Sequence, residues 1–456
     1  MDVVTGLGQP ASGAFMPTDQ MDVSRLAAAP AHHAKIGLPG AVALVVGGMI
    51  GSAIFILPAT MGAVGSISIL GWLAAALAAL SVAAVFAQIG AAAPMATGLA
   101  YYAQAGLGRF FGVQMTVAYY AANTVGLVPI ALAVARTVGY LVPELTGTGP
   151  RLAITLASIW GGIAVSWLGP RWVTRLEGAT LGIGLFPVIL TATAGWFVFQ
   201  PDLFLASWNP QGLTLGAAIG SSALTAFYAF LGLECAAAAA GVVRDPARNV
   251  PRATLLGVAA AAALYIAVNA VLMGILPSAA LAKSGAPFAD AAKLTVGAGL
   301  GGLLAVCAFV RAQGCLTGFT LLTSETTRSA ADEGAFPKIF RTRAGERVSP
   351  VNLLTLGGLM SLAAISTATP DLAEQFRILV NVTVLLSLYC YGLAAVSLVR
   401  LSRGFTAPRR VLAIVTAGVT IACAAALGFT AKPVELAWAV VPLGAGALLY
   451  LWLRRR

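Results

Sequence analysis

Charge is what this sequence has least of. Only 9% of its 456 residues are Asp, Glu, Lys or Arg, while 59% are hydrophobic and the mean hydropathy is +0.90. A soluble domain carries roughly 25% charged residues, so this chain lacks the polar surface that a water-facing globule needs. Its hydrophobicity equally excludes a disordered chain. Histidine is nearly missing, with two adjacent copies, His32 and His33, near the N-terminus. The five cysteines (Cys235, Cys307, Cys315, Cys390 and Cys423) sit singly within apolar runs, a spacing that makes neither a zinc site nor a disulfide framework. There is no Walker-type loop, no His cluster and no pair of acids, which argues against a membrane-embedded enzyme. No filter-like repeat points to a channel, and no cofactor or metal is expected.

What the sequence has instead is long apolar runs, such as Leu70 to Ala87. A helix crosses the hydrocarbon in about 20 such residues, and the runs lack the period-two alternation of a membrane β-barrel. They predict an all-α membrane protein with spans near 38–61, 66–90, 112–142, 151–169, 174–199, 213–241, 253–276, 297–324, 350–370, 375–399, 411–430 and 434–453. Residues 1–34 form a polar segment without the apolar core of a signal peptide, and are expected to be a flexible cytosolic arm before a single domain, 35–456. The net charge of +11 is distributed by topology, so nucleic acid is not an expected partner. With twelve spans, 20 of the 27 Lys and Arg residues fall on the side of the N-terminus, five on the other side, and two, Arg136 and Arg311, within spans. The positive-inside rule then puts both termini in the cytosol.

Two spans are interrupted. Span 1 carries Gly47-Gly48-Met49-Ile50-Gly51-Ser52-Ala53 at its middle, where small residues weaken a helix. Such a cluster serves close helix packing, or an unwound segment whose second half-helix aims its N-terminal amides at a carboxylate. Span 6 reads Ala226-Phe227-Tyr228-Ala229-Phe230-Leu231-Gly232-Leu233-Glu234 and sets an acid deep in an apolar run. An intramembrane carboxyl is costly and by default functional, binding a proton or a cation. Interruptions five spans apart predict a five-plus-five inverted repeat (about 38–199 and 213–399) followed by two further spans (about 411–453), with a binding site between the breaks.

These two breaks, the loop Gly241-Val-Val-Arg-Asp-Pro-Ala-Arg-Asn-Val-Pro-Arg-Ala-Thr254, and the stretch from Thr320 through Glu325 and Arg328 to Pro337 resemble the amino acid–polyamine–organocation family over residues 35–455. The resemblance implies a secondary transporter of amino acids or their amines, of the basic amino acid/polyamine exchanger type (arginine/agmatine-like), working by alternating access. It would be a homodimer among the lipids of a bacterial inner membrane. A proton-coupled symporter with a neutral or broad substrate range is the alternative. Sodium coupling is less expected, because no acidic ligand set accompanies Glu234.

Carried onto this sequence, the resemblance implies that the span 1 backbone, Met49, Ile50, Gly51, Ser52 and Ala53, binds the substrate carboxylate. The span 6 segment, Tyr228 to Leu231 with Ala229, holds the amine. Tyr228 closes over the substrate and Phe319 stacks on it. Tyr119 and Tyr391 gate the cytosolic side, with Tyr228 as a further gating ring, and Glu234 couples protons. Ala122, Asn123 and Thr383, together with Leu127 and Ile130, complete a mainly apolar lining. Departures bear on the substrate. The family's Gly-Ser-Gly is Gly51-Ser52-Ala53 here, and arginine exchangers carry tryptophans where Tyr228 and Phe319 stand, so a guanidinium is gripped less well. Their asparagine is Leu127, with Asn123 one turn earlier. Arg311, inside span 8, matches no requirement of the family. It is read either as snorkelling along a vestibule or as a fixed-charge tether between spans 1 and 8. The span 5 stretch Glu177 to Gly182 offers no lysine for that place. Arg136 is expected to snorkel outward.

Overall fold

The computed structural model describes residues 36–92, 99–234, 243–332, 334–342, 346, 348–368 and 371–455. The expected N-terminal arm 1–34, Cys235 and the end of span 6 lie outside them.

Every expected span coincides with a helix. Span 1 is two helices, α1 (Leu38–Met49) and α2 (Ala53–Val64), bent by 50°. Span 2 is α3 (Ser68–Ala92), and a short α4 (Leu99–Leu107) leads to span 3, α5 (Arg109–Leu141). Spans 4 and 5 are α6 (Thr148–Trp167) and α7 (Pro170–Ala194). After α8 (Pro201–Ala206), span 6 begins as α9 (Leu215–Phe227), continued by a single 3-10 turn, Tyr228–Phe230. Span 7 is α10 (Pro246–Ile275); α11 (Ser278–Lys283) and α12 (Pro287–Thr295) then lead to span 8, α13 (Ala298–Asp332). Spans 9 to 12 are α14 (Pro350–Ser366), α15 (Leu372–Leu401), α16 (Ala407–Gly428) and α17 (Pro433–Arg454). The protein is thus an all-α, multi-pass membrane protein. Prolines open α7, α10, α12, α14 and α17 at their first turns, where the missing N–H is not needed.

Differences from the expected boundaries have local causes. α13 runs to Asp332, past the expected end at 324, because polar side chains carry the helix out of the apolar run. Arg328 bridges Glu325 and Asp332, each at 2.8 Å, across the three- and four-residue spacings that helix turns favour. Apolarity reports where hydrocarbon ends, not where the helix ends. The short helices α4, α8, α11 and α12 are too brief for a periodic pattern to announce.

Spans 3 and 10 form the middle: 72% and 78% of their apolar windows are buried, against 22% and 11% in spans 11 and 12. The peripheral helices turn Leu412, Val415, Val441 and Leu448 outward, an apolar surface that suits lipid. α3 packs on α10, and α5 on α13; these are the span pairs 2/7 and 3/8 that a five-plus-five repeat relates. Buried polar contacts tie the periphery to the centre. Thr225 of span 6 donates to Asn381 Oδ1 at 3.1 Å, and Asn381 donates to Glu435 Oε1 at 3.0 Å. Arg377 also pairs with Glu435, which is 1% exposed. Glu435 is a second buried acid beside Glu234, placed in the first turn of α17.

Candidate functional site

The two breaks face each other. α1 stops at Met49, the Gly51 amide turns back onto the Met49 carbonyl at 2.8 Å, and α2 restarts at Ala53 with no side-chain cap. In span 6, Leu231 is extended and Gly232 has φ +97°. A Cβ at Gly232 would lie 2.9 Å from the Gly48 carbonyl oxygen. Glycine is required there twice over, by the left-handed backbone and by the contact between breaks. The span 6 turn is braced from behind by a buried aromatic cluster: Tyr265 donates to the Ala229 carbonyl at 3.0 Å and packs against Trp72 (tilted) and Phe230 (edge-to-face) at 5.5 and 5.4 Å between ring centres.

Around this junction lies a cavity. Of the residues expected from the sequence, Met49, Gly51, Ser52, Ala53, Tyr119, Ala122, Asn123, Leu127, Ile130, Tyr228, Leu231, Glu234, Phe319, Thr383 and Tyr391 line it. Ile50 and Ala229 do not reach the wall. Their carbonyls face away, accepting hydrogen bonds from Arg311 and Tyr265. The lining also includes Gly48 and Gly232, which lie within the two predicted breaks but were not assigned to the site, and Gly126, Cys315 and Ser387, which sequence reasoning missed. The only signal of these last three was small size on an inward face. Gly126 illustrates it, since a Cβ there would meet Thr383 Cγ2 at 2.7 Å.

The polar atoms of the cavity are mostly committed. Tyr228 donates to the Gly126 carbonyl at 2.6 Å, joining the span 6 break to span 3. Asn123 donates to the Tyr119 carbonyl at 2.9 Å in its own helix. Glu234 is 9% exposed and accepts one tyrosine hydroxyl on each oxygen, Tyr119 at 2.9 Å on Oε1 and Tyr391 at 3.0 Å on Oε2. The expected gate tyrosines and the expected proton site are therefore one bonded unit linking spans 3, 6 and 10. Phe86 packs edge-on to the Tyr391 ring at 5.6 Å and fixes it from span 2. Among the described residues, Glu234 is the one acidic side chain in the lining, which holds no Lys or Arg. The amides that open α2 lie at a helix N-terminus, whose first N–H groups have no partner within the helix.

Arg311 is 0% exposed and lies behind the cavity rather than in it. It donates from Nε to the Ile50 carbonyl at 3.0 Å and from NH2 to the Gly47 carbonyl at 3.3 Å. Its NH1 meets Glu177 Oε1 of α7 at 2.8 Å. Glu177 was unremarkable in the sequence, since an acid near a span end is ordinary. Arg136 does not simply reach outward: its NH2 donates to the Ser284 carbonyl at 2.6 Å, next to α11.

A family model described as amino acid permease matches residues 36–446. The chain is 35% identical over 376 residues to the cadaverine/lysine antiporter of Escherichia coli (strain K12), covering 80% of this chain and 83% of that protein. It is 33% identical over 378 residues to the putrescine transporter PotE of the same strain, covering 82% and 85%. PotE of Haemophilus influenzae is 32% identical over 372 residues, covering 80% and 84%.

Proposed function

The chain belongs to the amino acid permease family of amino acid–polyamine–organocation transporters, and from that premise we propose that it exchanges a basic amino acid for an amine across a bacterial inner membrane. It is a transporter and not an enzyme. The observation that carries the exchange reading is the pairing, in one cavity, of a helix N-terminus with one carboxyl group, Glu234, and no cationic side chain among the described lining residues. The amides of Ser52 and Ala53 suit a substrate carboxylate. The break at Tyr228 to Leu231 suits the α-amine, and the aromatic faces of Tyr228 and Phe319 suit a cationic or aliphatic side chain. A diamine without a carboxylate keeps the second set of contacts and loses the first, so both members of an exchange pair fit one site. The relatives named for cadaverine, lysine and putrescine support a linear amine over the guanidinium pair arginine/agmatine. Replacement of tryptophan by Tyr228 and Phe319 agrees with that preference.

In this reading Tyr119 and Tyr391 hold the cytosolic gate through Glu234. Protonation of Glu234 removes the charge that both hydroxyls serve and lets the gate part. Tyr228, bonded to span 3, closes from the other side. Both termini are cytosolic, and two copies pair within the bilayer. The apolar lining of Met49, Ala122, Leu127 and Ile130 favours one second reading, proton-coupled symport of neutral amino acids. Counterflow separates them. Proteoliposomes loaded with cadaverine, putrescine or agmatine should take up labelled lysine or arginine only when the internal amine is present. Uptake into empty vesicles that follows an imposed pH gradient and ignores internal amine would establish symport instead.

A further inference from the structure

We infer that Arg311 and Glu177 form a charge clamp that caps the broken first span from span 8 and sets the position of its substrate-facing amides. α1 ends on carbonyls that have no partner within the helix, and its last turn holds no basic residue. Those carbonyls carry the negative end of the helix dipole. Arg311 supplies the missing cation from another helix, with one nitrogen on Gly47 and another on Ile50, at 3.3 and 3.0 Å. The two acceptors flank Met49, immediately before Gly51-Ser52-Ala53. A guanidinium seated there fixes which way the peptide units of the break point. Holding the Gly47 and Ile50 carbonyls toward Arg311 sets the turn through Gly51 that leads into the amides opening α2.

The pocket for this pair is hollowed out of two helices. A Cβ at Gly184 of α7 would lie 2.5 Å from Arg311 Cβ and Cγ. A Cβ at Gly318 of α13 would lie 2.8 Å from Glu177 Oε2. A buried guanidinium without a counter-ion is strongly unfavourable, and Glu177 provides the neutralisation through one oxygen only. Its other oxygen, Oε2, is buried with no hydrogen-bond partner. A single-point contact holds more loosely than a bidentate one, as suits a joint between helices that must shift. Arg311 shares α13 with the cavity residues Cys315 and Phe319, so the clamp couples movement of span 8 to the span 1 break.

The clamp acts on the carboxylate end of the site, and this rests on the reading that the span 1 amides hold the substrate carboxylate. Arg311 is a positioning residue. Its loss should weaken an amino acid more than the matching amine, which a general structural role would not do.

The test uses the full-length protein and the variants Arg311→Met, Arg311→Lys, Glu177→Gln and the swap Arg311→Glu/Glu177→Arg. Two readouts are taken: amide hydrogen exchange without substrate, and the affinities of lysine and cadaverine. In Arg311→Met, exchange should quicken about tenfold or more in peptides covering 46–54 and little elsewhere. Lysine affinity should fall about tenfold further than cadaverine affinity, as loss of a buried charge-assisted contact permits. Arg311→Lys should recover part of both effects. The swap should recover neither, because a glutamate cannot donate to the Gly47 and Ile50 carbonyls. Should Arg311→Met fail to fold, Arg311→Lys and Glu177→Gln are expected to show the same pattern at smaller size. Unchanged exchange at 46–54 in the folded variants, equal losses for lysine and cadaverine, or full recovery by the swap overturns the clamp. If the unaltered protein binds neither probe, the exchange reading of function fails, and hydrogen exchange still decides the clamp.

Discussion

A single added methyl group at Gly51 should impair transport, and the size of the effect follows from one contact. Gly51 does not have a positive φ, so its backbone accepts any residue and only space demands glycine. A Cβ built there lies 2.9 Å from Cys315 Sγ on span 8, well inside van der Waals contact. Cys315 is 1% exposed, so it has little room to retreat. Overpacking of this kind costs about 1–3 kcal/mol, equivalent to about 5- to 150-fold in the population of the state that holds this junction closed. Gly51→Ala should therefore slow lysine counterflow in proteoliposomes by a factor in that range while the protein still purifies folded. The clash has one identifiable atom on its far side. Cys315→Ala removes that atom, so Gly51→Ala/Cys315→Ala should transport nearly as well as Cys315→Ala alone, a coupling that a double-mutant cycle isolates. Two results refute the reasoning: normal counterflow by Gly51→Ala, or a double variant no better than Gly51→Ala. The first would mean that the breaks need not approach as closely as they do here, and the second that the glycine matters for some reason other than space.

Further predictions concern the gate, the rings and the scaffold. Glu234→Gln replaces one acceptor oxygen by a donor, so the Tyr119 and Tyr391 hydroxyls can no longer both donate to it. The pH profile of exchange should flatten between about pH 5 and 8, and an unaltered profile removes Glu234 from proton coupling. Tyr228→Ala and Phe319→Ala should each weaken lysine binding by about tenfold or more while affecting the rate at saturation less; unchanged affinity in both variants, measured by thermal stabilisation, would mean that the substrate lies elsewhere. Arg377→Met leaves Glu435 buried beside Asn381 without its cation. It should cost about 3–5 kcal/mol and lower Tm clearly, with Glu435→Gln in the same background restoring part of the loss.

The hydrocarbon of a membrane writes its demands locally, and this is why so much of the architecture was legible. A span needs a continuous apolar run, a loop needs its charges on the correct side, and a helix start tolerates proline. Each constraint binds residues close together in sequence. The twelve expected spans, the break at Gly47 to Ala53 and the conspicuous acid Glu234 could therefore be located without coordinates, and the family resemblance then placed Tyr119, Tyr228, Phe319 and Tyr391 around one cavity. Other features depended on contacts between distant parts of the chain. Glu177 lies 134 residues from Arg311, and nothing in its own span marks it as a counter-ion. Gly232 is one small residue among many until its φ of +97° and the Gly48 carbonyl beside it are known. Ile50 and Ala229 sit within the motifs, yet their carbonyls point to Arg311 and Tyr265, because an unwound segment can direct each peptide unit independently. Sequence determined which segments cross the membrane and where two of them break. Tertiary packing alone decided which atoms of those breaks face the cavity, since that depends on side chains brought in from spans 2, 5, 7 and 8.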